Sequence, residues 1–271
     1  MGLAMPCLRF LAREHRRQPF TGPVLILGRQ AVNATYEQVL DMLLAEGIEP
    51  TSLPKEMPLY TSIPSLLKGS NVGYVSDKAF FWALGGFELF SLDISDYEGA
   101  DYIVDLNSPI PDELEERFGL IIDGGTFEHV FDLKQAFNNV NRMLKPGGRV
   151  IHMNPASNYL EHGFYQFSPC LFYDYYGING FDGLQCFIAQ QPAKNINKAK
   201  WEFWQWDAKR VRSHLSSNRI LAIFFCAEKT GHSTIGKVPQ QGQFFGQYPW
   251  GLDVGLSRSI SNNGAVKRVI A

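Results

Sequence analysis

The chain has 271 residues and a formal net charge of -2, from 25 Lys plus Arg and 27 Asp plus Glu. This length suits one large α/β domain with appendages. The near-neutral charge gives no reason to expect binding to nucleic acid or to an anionic membrane, so a small-molecule partner is expected. The four cysteines form neither a CxxC pair nor a zinc-type spacing, which fits a reducing cytoplasm. No apolar run approaches the length that spans a bilayer.

Residues 1–21 contain the basic segment LRFLAREHRRQPF. This segment predicts an amphipathic helix that caps an edge of the sheet, although its composition also resembles an organelle presequence. Pro6 and the charges from Arg9 onward argue against a secretory signal. We therefore expect a structural helix before the main domain.

The aliphatic run GPVLILG at 22–28 ends in glycine, as a buried parallel strand does. The next segment, 33–47, has apolar residues at helical spacing, and we expect its helix to begin at the capping residue Asn33. Four prolines interrupt the stretch from Ile48 to Val75, which predicts an irregular segment with a short helix at 64–68. Such long segments are typical of lids and binding loops.

Strands and helices alternate through the middle of the chain. Helices are predicted at 76–87, in PDELEERF and in LKQAFNNVNRMLKPGG, and strands in ELFSLDIS, in ADYIVDLN, at 119–123 and at 149–155. This alternation predicts a parallel sheet that is covered by helices on both faces, with right-handed crossovers. The α/β domain is expected to extend over 22–230.

The pattern changes after Pro155. A helix is predicted from Ser168 to Tyr176, strands in LQCFIAQ and ILAIFFCAEK, and a further helix at 207–216. Between them lies a group of three tryptophans, which can either stack on a sugar or nucleobase or belong to the core: Trp201, Trp204 and Trp206. The last residues, 231–271, show no periodicity and predict an irregular tail that could contact a neighbouring subunit in a homo-oligomer.

Polar residues mark the ends of the predicted strands. In open α/β sheets, ligands bind beyond the carboxyl ends of the strands. Those ends carry Gly28, Asp93, Asp105, Asp123 and Asn154. Carboxylates can accept hydrogen bonds from a ribose diol or an adenine amine, so the pattern favours a nucleoside-type cofactor. The alternative is that these acids cap the helices that follow.

Five segments in this order resemble the successive motifs of class I S-adenosylmethionine-dependent methyltransferases: PVLILG, FSLDIS, YIVDLN, LIIDGGTFEHVFD and NNVNRMLKPGGRVIHMNP. The resemblance covers about residues 22–155. It implies an α/β, Rossmann-like fold with a seven-stranded, mostly parallel sheet that ends in an antiparallel hairpin. It also implies S-adenosylmethionine as the cofactor, and methyl transfer to an O or N nucleophile of a small metabolite or a sugar-like acceptor.

The resemblance assigns one group of residues to the methionine part of the cofactor. It implies that Gly28 approaches the methionine and that Asp123 with Gly124 lines the floor of the site. Gly124 and Gly125 are expected to let the backbone pass close to the sulfonium. At the other end of the cofactor, a second group binds the adenosyl part.

In this second group, Asp93 is expected to hold the ribose hydroxyls, with Ile94 next to it. Asp105 and Leu106 are expected to face the adenine. All four follow the second and third predicted strands.

The chain departs from the family pattern after its first strand. Ile26 stands where the family usually carries an acid, and Gln30 stands where a second glycine would allow close approach of the backbone. We predict that Arg29 pairs instead with the methionyl carboxylate, the alternative being that it lies on a surface turn. A long insertion, 31–75, also separates this turn from Asp93 and could fold over the cofactor.

Two histidines and a tyrosine are candidates for the chemical step. His162 lies just after the fifth predicted strand, where an acceptor-binding loop is expected, and it is our first candidate for the base, with Tyr165 to orient it. His129, next to Glu128, is a second candidate, because histidine titrates near neutral pH. A histidine that only caps a helix or bonds within the core is the alternative.

A metal site was considered at Asp123, His129 and His152, but the sequence contains no dedicated acidic cluster, and we predict no metal. Two other functions remain open. A nicotinamide-dependent oxidoreductase would need GxGxxG after the first strand, which the chain lacks. A catalytically degenerate methyltransferase-like domain that acts as a binding or assembly partner is favoured by Ile26 and Gln30. The sequence does not identify the methyl acceptor.

Overall fold

A computed structural model describes residues 2–63, 73–194, 200–207, 217–241 and the backbone of 266–269. In these ranges the helices are α1 (Met5–Arg17), α2 (Tyr36–Ala45), α3 (Asp77–Gly85), α4 (Leu133–Met143) and α5 (Pro169–Ile178). The strands are β1 (Val24–Leu27), β2 (Leu89–Asp93), β3 (Tyr102–Ile103), β4 (Phe118–Asp123), β5 (Leu144–Ser157), β6 (Asp182–Gln190), β7 (Glu202–Trp206), β8 (Leu221–Glu228) and β9 (Val266–Val269). Short 3-10 turns form at Asp112–Leu114 and Phe127–His129.

All nine strands form one sheet in the order β3-β2-β1-β4-β5-β8-β6-β7-β9. The pairs from β3 to β5 are parallel, while β8 pairs antiparallel with both β5 and β6. The Rossmann-like α/β fold with its antiparallel hairpin is therefore confirmed. The sheet has two strands more than the seven expected, because β7 and β9 extend it beyond β6 by antiparallel pairing.

Helices cover both faces of the sheet, as the alternation predicts. Successive residues of β1 alternate between the two cores: Val24 and Ile26 pack under α1, α2 and α3, whereas Leu25 and Leu27 pack under α4 and α5. These strand residues are fully buried, which explains their continuous aliphatic run.

The N-terminal helix α1 lies on a face of the sheet and not at its edge. Its Phe10 contacts Phe187, Phe203 and Phe224, which belong to β6, β7 and β8. The expectation of an edge cap is thus corrected. The antiparallel strands present apolar side chains on this face, and the apolar side of the basic helix α1 buries them.

Local capping sets the ends of the other helices. Helix α2 begins after Thr35 and not at Asn33, because Thr35 and Gln38 form a reciprocal capping box. Ser76 caps α3 through a hydrogen bond from the backbone N–H of Ala79, and Gly86 ends that helix in the left-handed conformation. PDELEERF forms a 3-10 turn where an α-helix was expected.

The helices expected at 64–68 and 207–216 fall mainly or wholly outside the described residues, and so does most of the tail 231–271. The tail residues Val266–Val269 form a strand that the lack of periodicity did not predict. Within the described residues, no helix is long and apolar enough to cross a membrane.

Candidate active site

The carboxyl ends of β1, β2 and β4 meet at one edge of the sheet. Leu27 of β1 is in register with Leu92 of β2 and with Asp123 of β4. Gly28 follows with φ of +69° and donates its N–H to the carbonyl of Leu92 at 2.7 Å. A Cβ on Gly28 would lie 3.1 Å from Thr126 Oγ1, so only glycine fits this turn without a shift.

Asp93 lies beside Gly28, as expected of a pair that shares one ligand. Its Oδ1 accepts a hydrogen bond from the N–H of Ser95 at 3.3 Å, and its Oδ2 would be 3.7 Å from a Cβ on Gly28. The next residue, Ile94, is exposed although it is large and apolar. The half-buried carboxylate and the exposed aliphatic side chain are therefore both available to a ligand.

Unlike Asp93 and Ile94, Asp105 and Leu106 do not lie side by side in reach of one ligand: the first is exposed and the second is buried. Asp105 is exposed, and its Oδ1 accepts hydrogen bonds from the N–H and the Nδ2 of Asn107. Leu106 is buried in the core under α4, and its carbonyl accepts a hydrogen bond from Asn139. Strand β3 ends at Ile103, two residues before Asp105, so these two residues belong to a turn.

Arg29 forms an internal ion pair. Its Nε and Nη2 donate to the two carboxylate oxygens of Asp77 at 2.9 and 3.1 Å, and its Nη1 donates to the carbonyls of Glu98 and Gly99. Both charged side chains are buried. The bidentate geometry that we expected Arg29 to offer a methionyl carboxylate is thus given to Asp77 at the start of α3.

Gln30 is buried against the end of β4. Its Nε2 donates to the carbonyl of Leu27 at 3.3 Å, while its Oε1 is buried without a hydrogen-bond partner among the described residues. A Cβ on Gly124 would lie 2.9 Å from this Oε1. The glycine at 124 therefore makes room for the Gln30 side chain, and the amide oxygen remains an unsatisfied acceptor at the crevice.

Asp123 is fully buried, and both of its carboxylate oxygens are hydrogen-bonded within the protein. Its Oδ1 accepts hydrogen bonds from the backbone N–H groups of Gly125, Thr126 and Phe127. Its Oδ2 bonds to His152 Nδ1 and Asn154 Nδ2, both at 2.9 Å. Burial raises the pKa of Asp123, but these hydrogen bonds outweigh it and hold the pKa below its ordinary value. The assignment of Asp123 to the cofactor floor stays a prediction, and in this structure its oxygens are already occupied by hydrogen bonds.

Asn154 joins Asp123 to a second buried carboxylate. Its Nδ2 also donates to Glu128 Oε2 at 3.0 Å. The other oxygen of Glu128, Oε1, is buried and has no hydrogen-bond partner among the described residues. Burial first, and the charge of Asp123 second, raise the pKa of Glu128 to about 7.

The unpartnered oxygen of Glu128 faces two histidines. Its Oε1 lies 3.5 Å from His162 Nε2 and 4.0 Å from His129 Nε2, and the two imidazole rings are 5.0 Å apart. Burial lowers the pKa of both histidines, which favours their neutral form at pH 7. The structure thus brings together His162 and His129, the two histidines that the sequence suggested, and adds Glu128.

The loop that carries His162 is held in an uncommon conformation. Glu161 and Gly163 flank it with φ of +62° and +76°. A Cβ on Gly163 would lie 2.6 Å from the carbonyl oxygen of Glu128, and Phe164 donates its N–H to that carbonyl. The loop therefore packs directly on the turn that carries Glu128. Left-handed residues such as Glu161 cost free energy and are common at functional sites.

Tyr165 is placed away from the histidines. Its hydroxyl donates to the carbonyl of Phe131 at 2.9 Å. Phe131 and Phe164 are both exposed and contact each other edge to face at 5.8 Å. Tyr165 thus fixes the position of an aromatic rim, which consists of Phe131 and Phe164, next to the histidines.

Sequence reasoning named Glu128 only as the neighbour of His129 and gave it no role. It also assigned no function to Asn154 or Thr126, whose hydroxyl donates to the carbonyl of Leu27 at 2.7 Å. The signal for Glu128 was its adjacency to a histidine directly after a strand. Asn154 was visible as a strand-end residue, but its contacts depend on the alignment of β4 with β5. His152, considered as a metal ligand, has both ring nitrogens bonded, to Asp123 and to Tyr176.

Comparison with known proteins identifies part of this region. Residues 88–152 match the model of a family described as a methyltransferase domain. The matched stretch runs from the start of β2 into β5 and includes Asp93, Asp123 and Glu128. No curated protein matches the chain.

Several solved structures of methyltransferases are similar to the chain at low sequence identity. One is the CMeT domain of citrinin polyketide synthase, at 11% identity and a TM-score of 0.41, covering 83% of this chain and 52% of that one. Another is phosphoethanolamine N-methyltransferase 2 of Haemonchus contortus, at 13% identity and 0.40, covering 81% and 52%. A third is the 1,6-didemethyltoxoflavin-N1-methyltransferase of Burkholderia thailandensis, at 12% and 0.38, covering 82% and 78%. The chain spans about half the length of the first two, and similarities this low do not indicate a substrate.

Proposed function

Since residues 88–152 match a methyltransferase-domain family, we propose that the chain transfers a methyl group from S-adenosylmethionine to an O or N nucleophile of a small metabolite or sugar-like acceptor. The observation that carries this proposal is the convergence of two groups of residues on one edge of the sheet. Gly28, Asp93 and Ile94 offer a ligand site at the ends of β1 and β2. Glu128 and His162 lie beyond the end of β4.

The residues beside Gly28 fit the cofactor. Asp93 has one carboxylate oxygen without a hydrogen-bond partner among the described residues and can accept from the ribose hydroxyls, while Ile94 can pack on the adenine. The buried and unpartnered Oε1 of Gln30 can accept a hydrogen bond from the methionyl ammonium. Arg29 stays in its ion pair with Asp77. When bound, S-adenosylmethionine supplies an electrophilic methyl group.

The second group acts on the acceptor. Glu128, His129 and His162 are close enough together to hold and activate one nucleophilic atom. Tyr165 is a positioning residue in this proposal, because it fixes the aromatic rim of Phe131 and Phe164 beside that atom. Positioning of a nucleophile can contribute about 7 to 11 kcal/mol to lowering the barrier, so a site built mainly to orient its acceptor is sufficient for catalysis.

The second candidate function is a degenerate domain that no longer binds the cofactor. The position of Gln30 favours it, because this side chain covers Gly124, where the family's glycine-rich turn leaves space. In that case the crevice would be closed, and the chain would serve as a binding or assembly partner.

Calorimetric titration separates these functions. We expect the chain to bind S-adenosylmethionine and S-adenosylhomocysteine, and not NAD. Asp93→Asn should weaken the binding of both by about 10- to 150-fold, because a ribose hydrogen bond to a charged acceptor is worth about 1.5 to 3 kcal/mol. Asp96→Asn, an exposed change three residues further on, is the matched control. Absence of binding by the unaltered chain would favour the degenerate domain.

Arg29 needs a separate measurement. If it serves only its ion pair with Asp77, Arg29→Ala should lower the stability of the chain, and the variant that remains folded should keep its cofactor affinity. A loss of cofactor affinity at unchanged stability would show that Arg29 binds the cofactor.

A further inference from the structure

The structure assigns a second ligand to the cluster of Glu128, His129 and His162: we propose that these side chains bind one divalent transition-metal cation. The proposal deepens the proposed function, since the cation would hold and activate an oxygen atom of the acceptor. It differs from the metal set considered from the sequence, because His152 and Asp123 bond to each other in the core.

The distances fit a coordination site. One ligand atom from each residue lies within 4.8 Å of the other two. A cation with bonds of about 2.1 Å and near-tetrahedral angles needs ligand atoms about 3.4 Å apart. Glu128 Oε1 and His162 Nε2 are already 3.5 Å apart. His129 Nε2, at 4.0 Å from the same oxygen, belongs to an exposed imidazole that can rotate inward.

Two of the three ligand atoms have no hydrogen-bond partner among the described residues. Glu128 is fully buried, yet its Oε1 lacks a hydrogen bond, and so does His162 Nε2. A buried acceptor without a partner costs about 1 to 3 kcal/mol, more if it is charged. A cation between Oε1 and the imidazoles would remove this cost. Asn154, which donates to Oε2, would hold the carboxylate in place as an outer partner of a metal ligand does.

The donor set indicates which cation is suitable. Two imidazoles and one carboxylate suit Zn²⁺, Fe²⁺ or Co²⁺, whereas Mg²⁺ and Ca²⁺ prefer oxygen ligands. Three protein ligands also leave a coordination position open, as in catalytic zinc sites. The exposed pair Phe131 and Phe164 follows two of the ligand residues closely in sequence, so an acceptor with an apolar part and a hydroxyl group would suit this place.

Metal binding can be measured without any acceptor. The full chain, without a polyhistidine tag and stripped with a chelator, is titrated with ZnCl₂ in a calorimeter and with CoCl₂ in a visible spectrometer. We expect one ion per chain, a Co²⁺ spectrum of a site with nitrogen ligands, and no comparable binding of Mg²⁺. Equal binding of Mg²⁺ and Zn²⁺ would overturn the proposal.

Three variants test the ligands one by one. Glu128→Gln, His129→Ala and His162→Ala should each weaken the Kd for Zn²⁺ by more than about 100-fold, since removing a group that only supports a ligand already costs about 10- to 100-fold. His232→Ala, an exposed histidine elsewhere, and Cys170→Ser, a partly exposed thiol, are the controls and should bind Zn²⁺ normally. His129→Ala changes an exposed side chain, so it tests the proposal even if Glu128→Gln folds poorly.

Failure of this inference is distinguishable from failure of the proposed function. S-adenosylmethionine binding is measured on the same variants, and we expect it to persist in His129→Ala. If Zn²⁺ binds to all three variants as it does to the unaltered chain, the metal site is wrong whatever the cofactor does. If Zn²⁺ binds as expected but no cofactor does, the metal site stands and the methyltransferase proposal falls.

Discussion

Two buried carboxylates, five residues apart in sequence, differ in how completely the protein surrounds them. Asp123 accepts five hydrogen bonds, and its pKa is lowered. Glu128 accepts one, from Asn154, and its pKa is raised to about 7. Both are fully buried, so burial alone does not separate them. The number of donors separates them, together with the charge of Asp123, which raises the pKa of Glu128.

This difference indicates that the two carboxylates have different roles. Asp123 holds the turn after β4 together, because three of its donors are backbone N–H groups of that turn. Glu128 is left with an oxygen that faces two histidines and not a donor. A buried carboxylate oxygen without a hydrogen-bond partner calls for an explanation, and we infer that the explanation for Glu128 is a functional role.

Asp123→Ala should lower the free energy of unfolding by about 4 kcal/mol, because it leaves His152 and Asn154 and three backbone N–H groups without their acceptor. Urea denaturation at pH 7 measures it. Asp96→Ala, at an exposed site, should change stability by no more than about 0.5 kcal/mol. A loss below about 1 kcal/mol at Asp123 would mean that its hydrogen bonds are not structural.

Asn154→Leu should cost about 3 kcal/mol, since one amide donates to both carboxylates and its removal leaves two buried acceptors poorly paired. It should also raise the pKa of Glu128 further, because the hydrogen bond from Asn154 favours the ionised form. The stability of the variant should therefore decrease more steeply with pH than that of the unaltered chain. Parallel pH profiles would show that Asn154 does not couple the two carboxylates.

Glu128→Gln should stabilise the metal-free chain at high pH by about 3 kcal/mol, since one pKa unit corresponds to about 1.4 kcal/mol. The pKa of Glu128 is about 7 in the folded chain against an ordinary value of 4.5. Between these values the folded chain binds more protons than the unfolded chain, so the contribution of Glu128 to stability falls as pH rises from about 4.5 to 7. Glutamine does not ionise and escapes this loss.

The measurement is urea denaturation at pH 5 and pH 8 in the presence of a chelator. The gain in free energy of unfolding from Glu128→Gln should be small at pH 5 and should reach its full value at pH 8. Glu49→Gln, at an exposed position, is the control and should show no pH-dependent advantage. An equal advantage at both pH values would contradict a raised pKa.

Gln30 extends the comparison to a neutral group, because its Oε1 is also buried and unpartnered. Gln30→Leu should weaken S-adenosylmethionine binding by about 10- to 150-fold, because one hydrogen bond to a charged group is worth about 1.5 to 3 kcal/mol. Gln30→Glu, which keeps an acceptor, should bind at least as well as Gln30→Leu does. Tighter binding by Gln30→Leu would show that the side chain obstructs the crevice and is not a ligand.

Much of the fold could be predicted because its signals are local. The aliphatic run at β1, the Ser76 cap and Gly86 each act within a few residues, and the structure confirms the elements that they mark. The placement of α1 on a face could not be predicted, because it depends on contacts with strands about 180 to 210 residues away. The strand Val266–Val269 also depends on a distant partner, β7.

The site was predictable in part for the same reason. Gly28 and Asp93 follow neighbouring strands, and their approach needs only the parallel order of β1 and β2. The partners of Arg29 and Asp123 lie on other elements, and a sequence read along one strand cannot show that their hydrogen-bonding groups are already used. The meeting of His162 with Glu128 depends on a loop that folds back over the turn.

We expect the close contact of Gly163 with Glu128 to constrain how related sequences vary. No side chain fits at 163 while the loop lies on that turn, and the position of the loop there brings His162 to Glu128. Among sequences that share this ancestry, glycine, glutamate and histidine at these three places should be inherited as a unit. A lineage that abandons the histidine should lose the glycine soon afterwards.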